Sequence, residues 1–125
     1  ESHNDERTMR VALLAIAHER ALSNTTLEVH WGAGRPPMER SVASAALCRE
    51  YAACLAASGL GSGEMDLVGG GSDTATTSAM SIPSLDALGP RGNGFHTLDE
   101  FIELPTLVSK AEALVRYLVT HVWRA

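Results

Sequence analysis

The sequence is poor in basic residues, in cysteine and in long apolar runs, and each shortage excludes a class of protein. Ten Lys and Arg stand against fifteen Asp and Glu, which gives a net charge of −5. Nucleic-acid affinity depends largely on Lys and Arg that neutralise phosphates, so we expect no nucleic-acid partner. No stretch approaches the roughly 18 apolar residues of a membrane span, and no signal peptide is recognisable. We therefore expect no membrane association and a cytoplasmic location.

Cys48 and Cys54 are the only cysteines. Both lie in an alanine-rich helical pattern, and a spacing of six places them on different faces of one helix. This spacing disfavours a disulfide between them and predicts two small residues packed in a reducing compartment. A metal or redox pair is the alternative.

The length and composition are those of one ordinary domain or of part of a larger protein. The chain has 125 residues, of which 45% are hydrophobic and 20% charged. A chain of this size can bury enough surface to form a core. Its first residue is Glu1, not Met. We therefore expect a trimmed chain or a fragment of a longer protein.

Apolar periodicity predicts a mixture of helices and short strands. Predicted helices run from a cap at Asn4 or Asp5 to Leu22, from Pro37 or Met38 to Ser58, over Thr74–Met80, and over Pro105–Trp123. Predicted strands cover Leu27–Trp31 and Met65–Val68, with a further strand or extended run over Ile82–Leu88. The alternation indicates an α/β or α+β fold. A Gly/Pro cluster at 32–37 predicts an internal boundary, and Gly89–Glu100 predicts a glycine-rich loop.

His96 is the first residue with a chemical interpretation. It lies in the predicted loop between glycines and the acidic pair Asp99 and Glu100. Neutral imidazole is a common metal ligand, and a nearby carboxylate can orient its second nitrogen. The alternative is a surface histidine with a local hydrogen bond, and spacing alone favours that alternative.

The turn Gly69–Asp73 and the residue Arg35 are the other two candidates. Glycines between a strand and a helix let a ligand approach the backbone, and the helix start offers N–H groups to an anion or a carbonyl. The turn lacks the lysine of a phosphate-binding loop and the spacing of a dinucleotide fold. Arg35 follows a predicted strand beside Pro36, where its guanidinium could clamp a carboxylate through two hydrogen bonds. A plain turn and a solvated arginine are the alternatives.

The order of these features resembles one enzyme family. Gly-Arg-Pro is followed by an alanine-rich helix, Gly-Gly-Gly-Ser-Asp, and, about two dozen residues later, His-Thr-Leu-Asp-Glu before an apolar final helix. This order resembles the carboxy-terminal third of the acetylornithine deacetylase, succinyl-diaminopimelate desuccinylase and carboxypeptidase G family. The resemblance is clearest over Gly69–Trp123.

The resemblance implies a two-part parent enzyme. Residues 1–34 would be the last helix and strand of a ferredoxin-like lid that mediates dimerisation, and residues 35–125 the carboxy-terminal part of an α/β catalytic domain. The parent would hold two zinc ions, form a homodimer, and hydrolyse an amide or peptide bond in an N-acyl amino acid or small peptide. Zinc polarises such a carbonyl and lowers the pKa of bound water.

The resemblance also implies residue roles. His96 would be the last histidine ligand of the zinc pair, and Arg35 would bind the substrate carboxylate. Gly70, Gly71 and Ser72 would lie along the substrate backbone, while Asp73 and Glu100 would support the loops.

The chain departs from the family in what it lacks. The earlier His-x-Asp motif, a separate Asp and the Glu-Glu pair with the general base are absent. Leu67 stands where members specific for a terminal glutamate tend to have arginine. The chain alone is therefore expected to be inactive. The alternative function is a non-catalytic binding or dimerisation module that uses the lid-derived helix and strand.

Overall fold

A computed structural model describes residues 2–19, 23–32, 34–61, 63–66 and 69–123. The chain divides into two compact units. The first unit comprises Glu1–Glu39 and Leu67–Ile82, and the second comprises Arg40–Asp66 and Pro83–Ala125.

The described residues form a mixed α and β structure, as the sequence predicts in outline. The helices are α1 (His3–Glu19), α2 (Val42–Ala57), α3 (Thr74–Ala79) and α4 (Leu104–Tyr117), and α4 continues as a π-helical turn over Leu118–Val122. Strands β1 (Gly92–Asn93) and β2 (Phe101–Ile102) pair in an antiparallel manner. None of the helices described is both long enough and apolar enough to cross a membrane.

Helix α1 of the first unit begins earlier than predicted. The Ser2 hydroxyl accepts the Asp5 backbone N–H at 3.2 Å, and the Asp5 carboxylate accepts the Ser2 N–H at 2.9 Å. This reciprocal pair is a capping box, so the predicted cap at Asn4 or Asp5 is wrong. The hydrogen bonds from Ser2 lower the pKa of Asp5. Residues 20–22, where the predicted helix ends, lie outside the described residues.

The predicted strand over Leu27–Trp31 is wrong. Among the residues described, these have no strand partner, because alternation of apolar and polar residues cannot by itself supply a neighbouring strand. Trp31 packs instead against α1, where the guanidinium of Arg10 lies 4.4 Å from the ring centroid. Glu6 forms a 2.8 Å ion pair with the same guanidinium.

Two further strand predictions also fail within the described residues. Met65 and Asp66 are not in a strand, and Leu67 and Val68 lie outside the described residues. Residues 82–88 are not in a strand, and the alternative of an extended run ends before Ala87, which has a left-handed φ of +59°.

Helices α2 and α4 build the core of the second unit. Ser41 caps α2 by accepting the Ser44 N–H at 3.0 Å, which starts the helix later than predicted. Tyr51, Cys54 and Leu55 of α2 pack with Ala113 of α4. Partly buried apolar side chains surround this cluster: Leu60, Leu85, Leu88, Leu114 and Tyr117.

Helix α2 ends close to the predicted position at Ser58, and the glycine-rich segment that follows supplies a left-handed cap. Gly59 has a φ of +76°, and its N–H bonds to the carbonyl of Ala56. The Leu60 N–H bonds to the carbonyl of Leu55, which completes a Schellman motif. The predicted final helix is also confirmed, with Pro105 in its first turn.

Cys48 and Cys54 are both free thiols, as the sequence predicts. Cys54 belongs to the core, and Cys48 is partly buried. Burial, together with the nearby Glu64 carboxylate, raises the pKa of the Cys48 thiol.

Candidate carboxylate-binding and metal-binding residues

The first unit brings Arg35 and Asp73 together. Both Nε and Nη2 of Arg35 donate to Oδ1 of Asp73, at 2.9 and 2.7 Å. The two side chains are 56% and 92% exposed. An exposed pair of this kind adds little to folding stability, because solvent screens it.

Gly71 lies directly beside this guanidinium. A Cβ atom built on Gly71 would stand 3.4 Å from Nη1 and 3.8 Å from Cδ of Arg35, whereas one built on Gly70 would meet nothing within 4 Å. The φ angle of Gly71 is not in the left-handed region. A Cβ at this position would therefore contact the guanidinium, and the backbone conformation does not itself require glycine.

Ser72 and Thr74 complete the turn and tie it to the segment after Arg35. The Ser72 and Thr74 hydroxyl oxygens lie 2.6 Å apart, and the Thr74 hydroxyl donates to the sulfur of Met38 at 3.2 Å. Nothing in the sequence signals this contact with Met38, because thioether hydrogen bonds are weak and have no spacing rule. The Gly-Arg-Pro segment and the glycine-rich turn are thus joined at two points.

The prediction that the start of α3 offers free N–H groups is wrong for its first three residues. The Thr74 N–H bonds to Oγ of Ser72 at 3.1 Å, and the Ala75 N–H bonds to the Ser72 carbonyl at 3.2 Å. The Thr76 N–H bonds to the Asp73 carbonyl at 3.0 Å. Local acceptors therefore satisfy the helix start.

His96 lies in the second unit, in the loop between β1 and β2. Its φ is +65°, a left-handed value that is uncommon outside glycine and is enriched in histidine among few others. Thr97 supports the loop, since its N–H and its hydroxyl both donate to the Gly94 carbonyl, at 3.0 and 2.7 Å. The strand pair and this turn together present His96 at an exposed position.

Glu100 contacts the backbone of His96 and not its ring. Its carboxylate accepts the His96 backbone N–H at 3.4 Å. The imidazole itself makes no hydrogen bond or ion pair within the part of the chain that the structure describes. The expected support of the loop by Glu100 therefore acts on the main chain, and the ring remains accessible.

The residues present do not by themselves fit a zinc pair. No group of three or more His, Cys, Asp and Glu side chains that could hold a metal ion occurs among the described residues. A dinuclear site needs several protein ligands and a base that activates water. His96 can supply one imidazole, and its role as a ligand stays a prediction.

Comparison with known proteins does not identify a relative. No protein-family model, curated protein or solved structure matches the chain. The assignment of residues 1–34 to a lid and of residues 35–125 to a catalytic domain therefore stays a prediction.

Proposed function

We propose that this chain is the carboxy-terminal portion of a zinc-dependent hydrolase that cleaves an amide or peptide bond in an N-acyl amino acid or small peptide. The observation that carries the proposal is the Arg35–Asp73 pair beside Gly71. Two segments that are 38 residues apart in sequence, and that the resemblance assigns to substrate binding, meet within one compact unit.

Arg35 suits the recognition of a substrate carboxylate. A guanidinium is planar and always charged, and it presents parallel N–H groups that match a carboxylate. The turn at Gly70, Gly71 and Ser72 lies along the substrate backbone in this proposal, with Gly71 leaving the space beside the guanidinium. His96 is one zinc ligand, and the other ligands and the general base come from outside this chain.

The proposal is tested on the longest polypeptide that the natural reading frame encodes around this chain. We expect its upstream part to carry His-x-Asp and Glu-Glu motifs, and the purified polypeptide to bind zinc and hydrolyse N-acetyl amino acids. The 125-residue chain is the matched control and should do neither. A full-length polypeptide without these motifs and without zinc would refute the proposal.

A dimerisation module is the second candidate, and α1 is the observation that favours it. None of the residues of α1 is buried. Large apolar side chains are exposed along it: Met9, Val11, Leu13, Leu14 and Ile16. Exposed apolar patches mark interaction sites. The predicted edge strand at Leu27–Trp31 is absent, so this function would depend on the helix alone.

Light scattering of the purified chain tests the module. A dimer that Leu14→Glu converts to a monomer, and that Val42→Glu leaves intact, would support it. Val42 is a suitable control because it is also apolar and exposed but lies on α2. A monomeric wild-type chain would exclude a dimerisation module.

A further inference from the structure

Asp73 occupies one edge of the Arg35 guanidinium and leaves another edge available. A guanidinium has five N–H groups in a fixed plane. Asp73 receives one from Nε and one from Nη2, both at its Oδ1 atom. The edge formed by Nη1 and Nη2 retains one N–H on each nitrogen. These two N–H groups are parallel, so each can donate to one oxygen of the same carboxylate. That edge has the geometry for a second, bidentate carboxylate.

The available edge has room around it. Arg35 makes no hydrogen bond other than those to Asp73 among the residues described. Nη1 lies beside Gly71, which places no side-chain atom next to it. More than half of the Arg35 side chain is exposed. A small ligand in solution can therefore reach this edge.

We infer that Asp73 is a positioning residue that holds the Arg35 guanidinium so that its Nη1–Nη2 edge is presented to the free α-carboxylate of an N-acyl amino acid. This inference rests on the proposed function and specifies how that function would select acids over neutral amides. An arginine side chain otherwise samples many rotamers, and fixing it in advance lowers the entropy lost on binding.

In this inference, the gain from holding the Arg35 guanidinium in place exceeds the repulsion between the Asp73 carboxylate and the ligand carboxylate. Asp73 carries the same charge as the ligand and would repel it if the two carboxylates were buried together. Asp73 is almost fully exposed, however, so solvent and salt screen that repulsion. The hydrogen bonds from Nε and Nη2 to Asp73 use different N–H groups from those on the Nη1–Nη2 edge, so a ligand at that edge does not compete for them.

A titration of the 125-residue chain with N-acetylalanine and with its neutral carboxamide tests this inference. Binding is followed by the nuclear magnetic resonance signal of the Arg35 Nε–H group. We expect the wild-type chain to bind the acid in preference to the amide. In Asp73→Ala the preference for the acid over the amide should fall by about fivefold, because the Arg35 guanidinium is no longer held in position. Asp73→Asn should retain most of the preference, since its amide oxygen can accept the same two N–H groups.

The control is Asp86→Ala, which removes an exposed carboxylate that makes no hydrogen bond or ion pair with the described residues. It should leave the preference unchanged, and its thermal unfolding should match that of Asp73→Ala. Equal or tighter binding of the acid by Asp73→Ala would overturn the inference and make Asp73 a competitor of the ligand. Absence of acid preference in the wild-type chain would overturn it as well.

This result is separable from the proposed function. A full-length polypeptide with zinc and turnover, combined with an unchanged acid preference in Asp73→Ala, rejects only the role of Asp73. Acid binding that depends on Asp73, in a full-length polypeptide without zinc or hydrolysis, rejects only the hydrolase.

Discussion

Oδ1 of Asp73 accepts hydrogen bonds from both Nε and Nη2 of Arg35, at 2.9 and 2.7 Å. This single atom joins the Gly-Arg-Pro segment to the glycine-rich turn. The thioether contact between Thr74 and Met38 joins the same two segments at a second point. Because of these contacts, the side-chain conformation of Arg35 depends on the conformation of the turn. Substitutions in the turn should therefore change the position of the Arg35 guanidinium.

Substitution of Gly71 should disturb Arg35, whereas substitution of Gly70 should not. A valine at position 71 would add branched carbon atoms where Nη1 already stands 3.4 Å from an ideal Cβ. We expect Gly71→Val to displace the guanidinium and to shift the Arg35 Nε–H resonance. Gly70→Val is the matched control, because a Cβ there meets nothing within 4 Å. Similar shifts in both variants would show that Gly71 has no special relation to Arg35.

Gly92 should be required for the strand pair that supports the His96 loop. A Cβ at this position would collide with the carbonyl oxygen of Phe101 on the partner strand, and a backbone atom cannot move aside as a side chain can. We expect Gly92→Ala to destabilise the pair by about 2 kcal/mol. Amide hydrogen exchange of Glu103, whose N–H donates to the Arg91 carbonyl at 2.8 Å next to the strand pair, measures this effect.

Gly89→Ala is the control for the hairpin, since a Cβ at position 89 meets nothing within 4 Å. It should leave the exchange rate of the Glu103 amide as in the wild type. Protection of the Glu103 amide that survives in Gly92→Ala would contradict the strand register described above.

Removal of the Tyr51 hydroxyl should not destabilise the second unit. The residue is 5% exposed, and its hydroxyl oxygen is buried with no hydrogen-bond partner among the described residues. Burial raises the pKa of this phenol. Because an unpaired buried hydroxyl costs free energy, we expect Tyr51→Phe to be neutral or stabilising by up to about 1 kcal/mol.

Urea unfolding of wild type and Tyr51→Phe checks this expectation. The edge-on contact between the Tyr51 and Tyr117 rings, with centroids 5.9 Å apart, survives in the variant because it needs only the rings. A clear loss of stability in Tyr51→Phe would mean that the hydroxyl has a partner in solution.

The pair formed by Arg40 and Glu64 should make stability depend on pH in the acid range. The hydrogen bond from Arg40 lowers the pKa of Glu64 from its ordinary 4.5. A lowered pKa in the folded state stabilises the fold above the unfolded pKa, and the contribution is lost as the pH falls through the folded pKa. Glu64→Gln should therefore unfold at a lower temperature than the wild type near neutral pH and at the same temperature in strong acid.

The measurement is thermal unfolding of both proteins across that pH range. Glu112→Gln, which neutralises a glutamate of α4 that forms no ion pair in the described structure, is the control. A difference between wild type and Glu64→Gln that persists undiminished in strong acid would contradict a contribution from the carboxylate charge.

The presence of the helices was predictable because their signals are local, although the first residues of α1 and α2 were not. The end of α2 at Gly59 and the start of α4 near Pro105 depend on residue types whose backbone preferences hold in any context. The strands were not predictable in this way. The alternation at Leu27–Trp31 predicted a strand but did not indicate which segment would pair with it. The strands that do pair, Gly92–Asn93 and Phe101–Ile102, are too short to give a periodic signal in the sequence.

The candidate site was predictable only in parts. Arg35 and the glycine-rich turn were singled out separately, but their contact depends on the folding of the first unit and has no spacing rule. The hydrogen bond from the His96 backbone N–H to the Glu100 carboxylate was also not predictable. Residue types alone do not show whether a carboxylate will accept from an imidazole ring or from a main-chain N–H.

The most direct test of the proposed hydrolase is the zinc content and turnover of the full-length polypeptide with and without the His96 imidazole. We expect two zinc ions per wild-type chain and hydrolysis of N-acetyl amino acids. In His96→Ala we expect fewer bound zinc ions and a loss of turnover of about a hundredfold or more. His30→Ala, which removes an exposed histidine paired with Glu28, should match the wild type. Equal zinc content and turnover in His96→Ala and wild type would contradict the assignment of His96 as a metal ligand, and absence of zinc from the wild type would contradict the hydrolase itself.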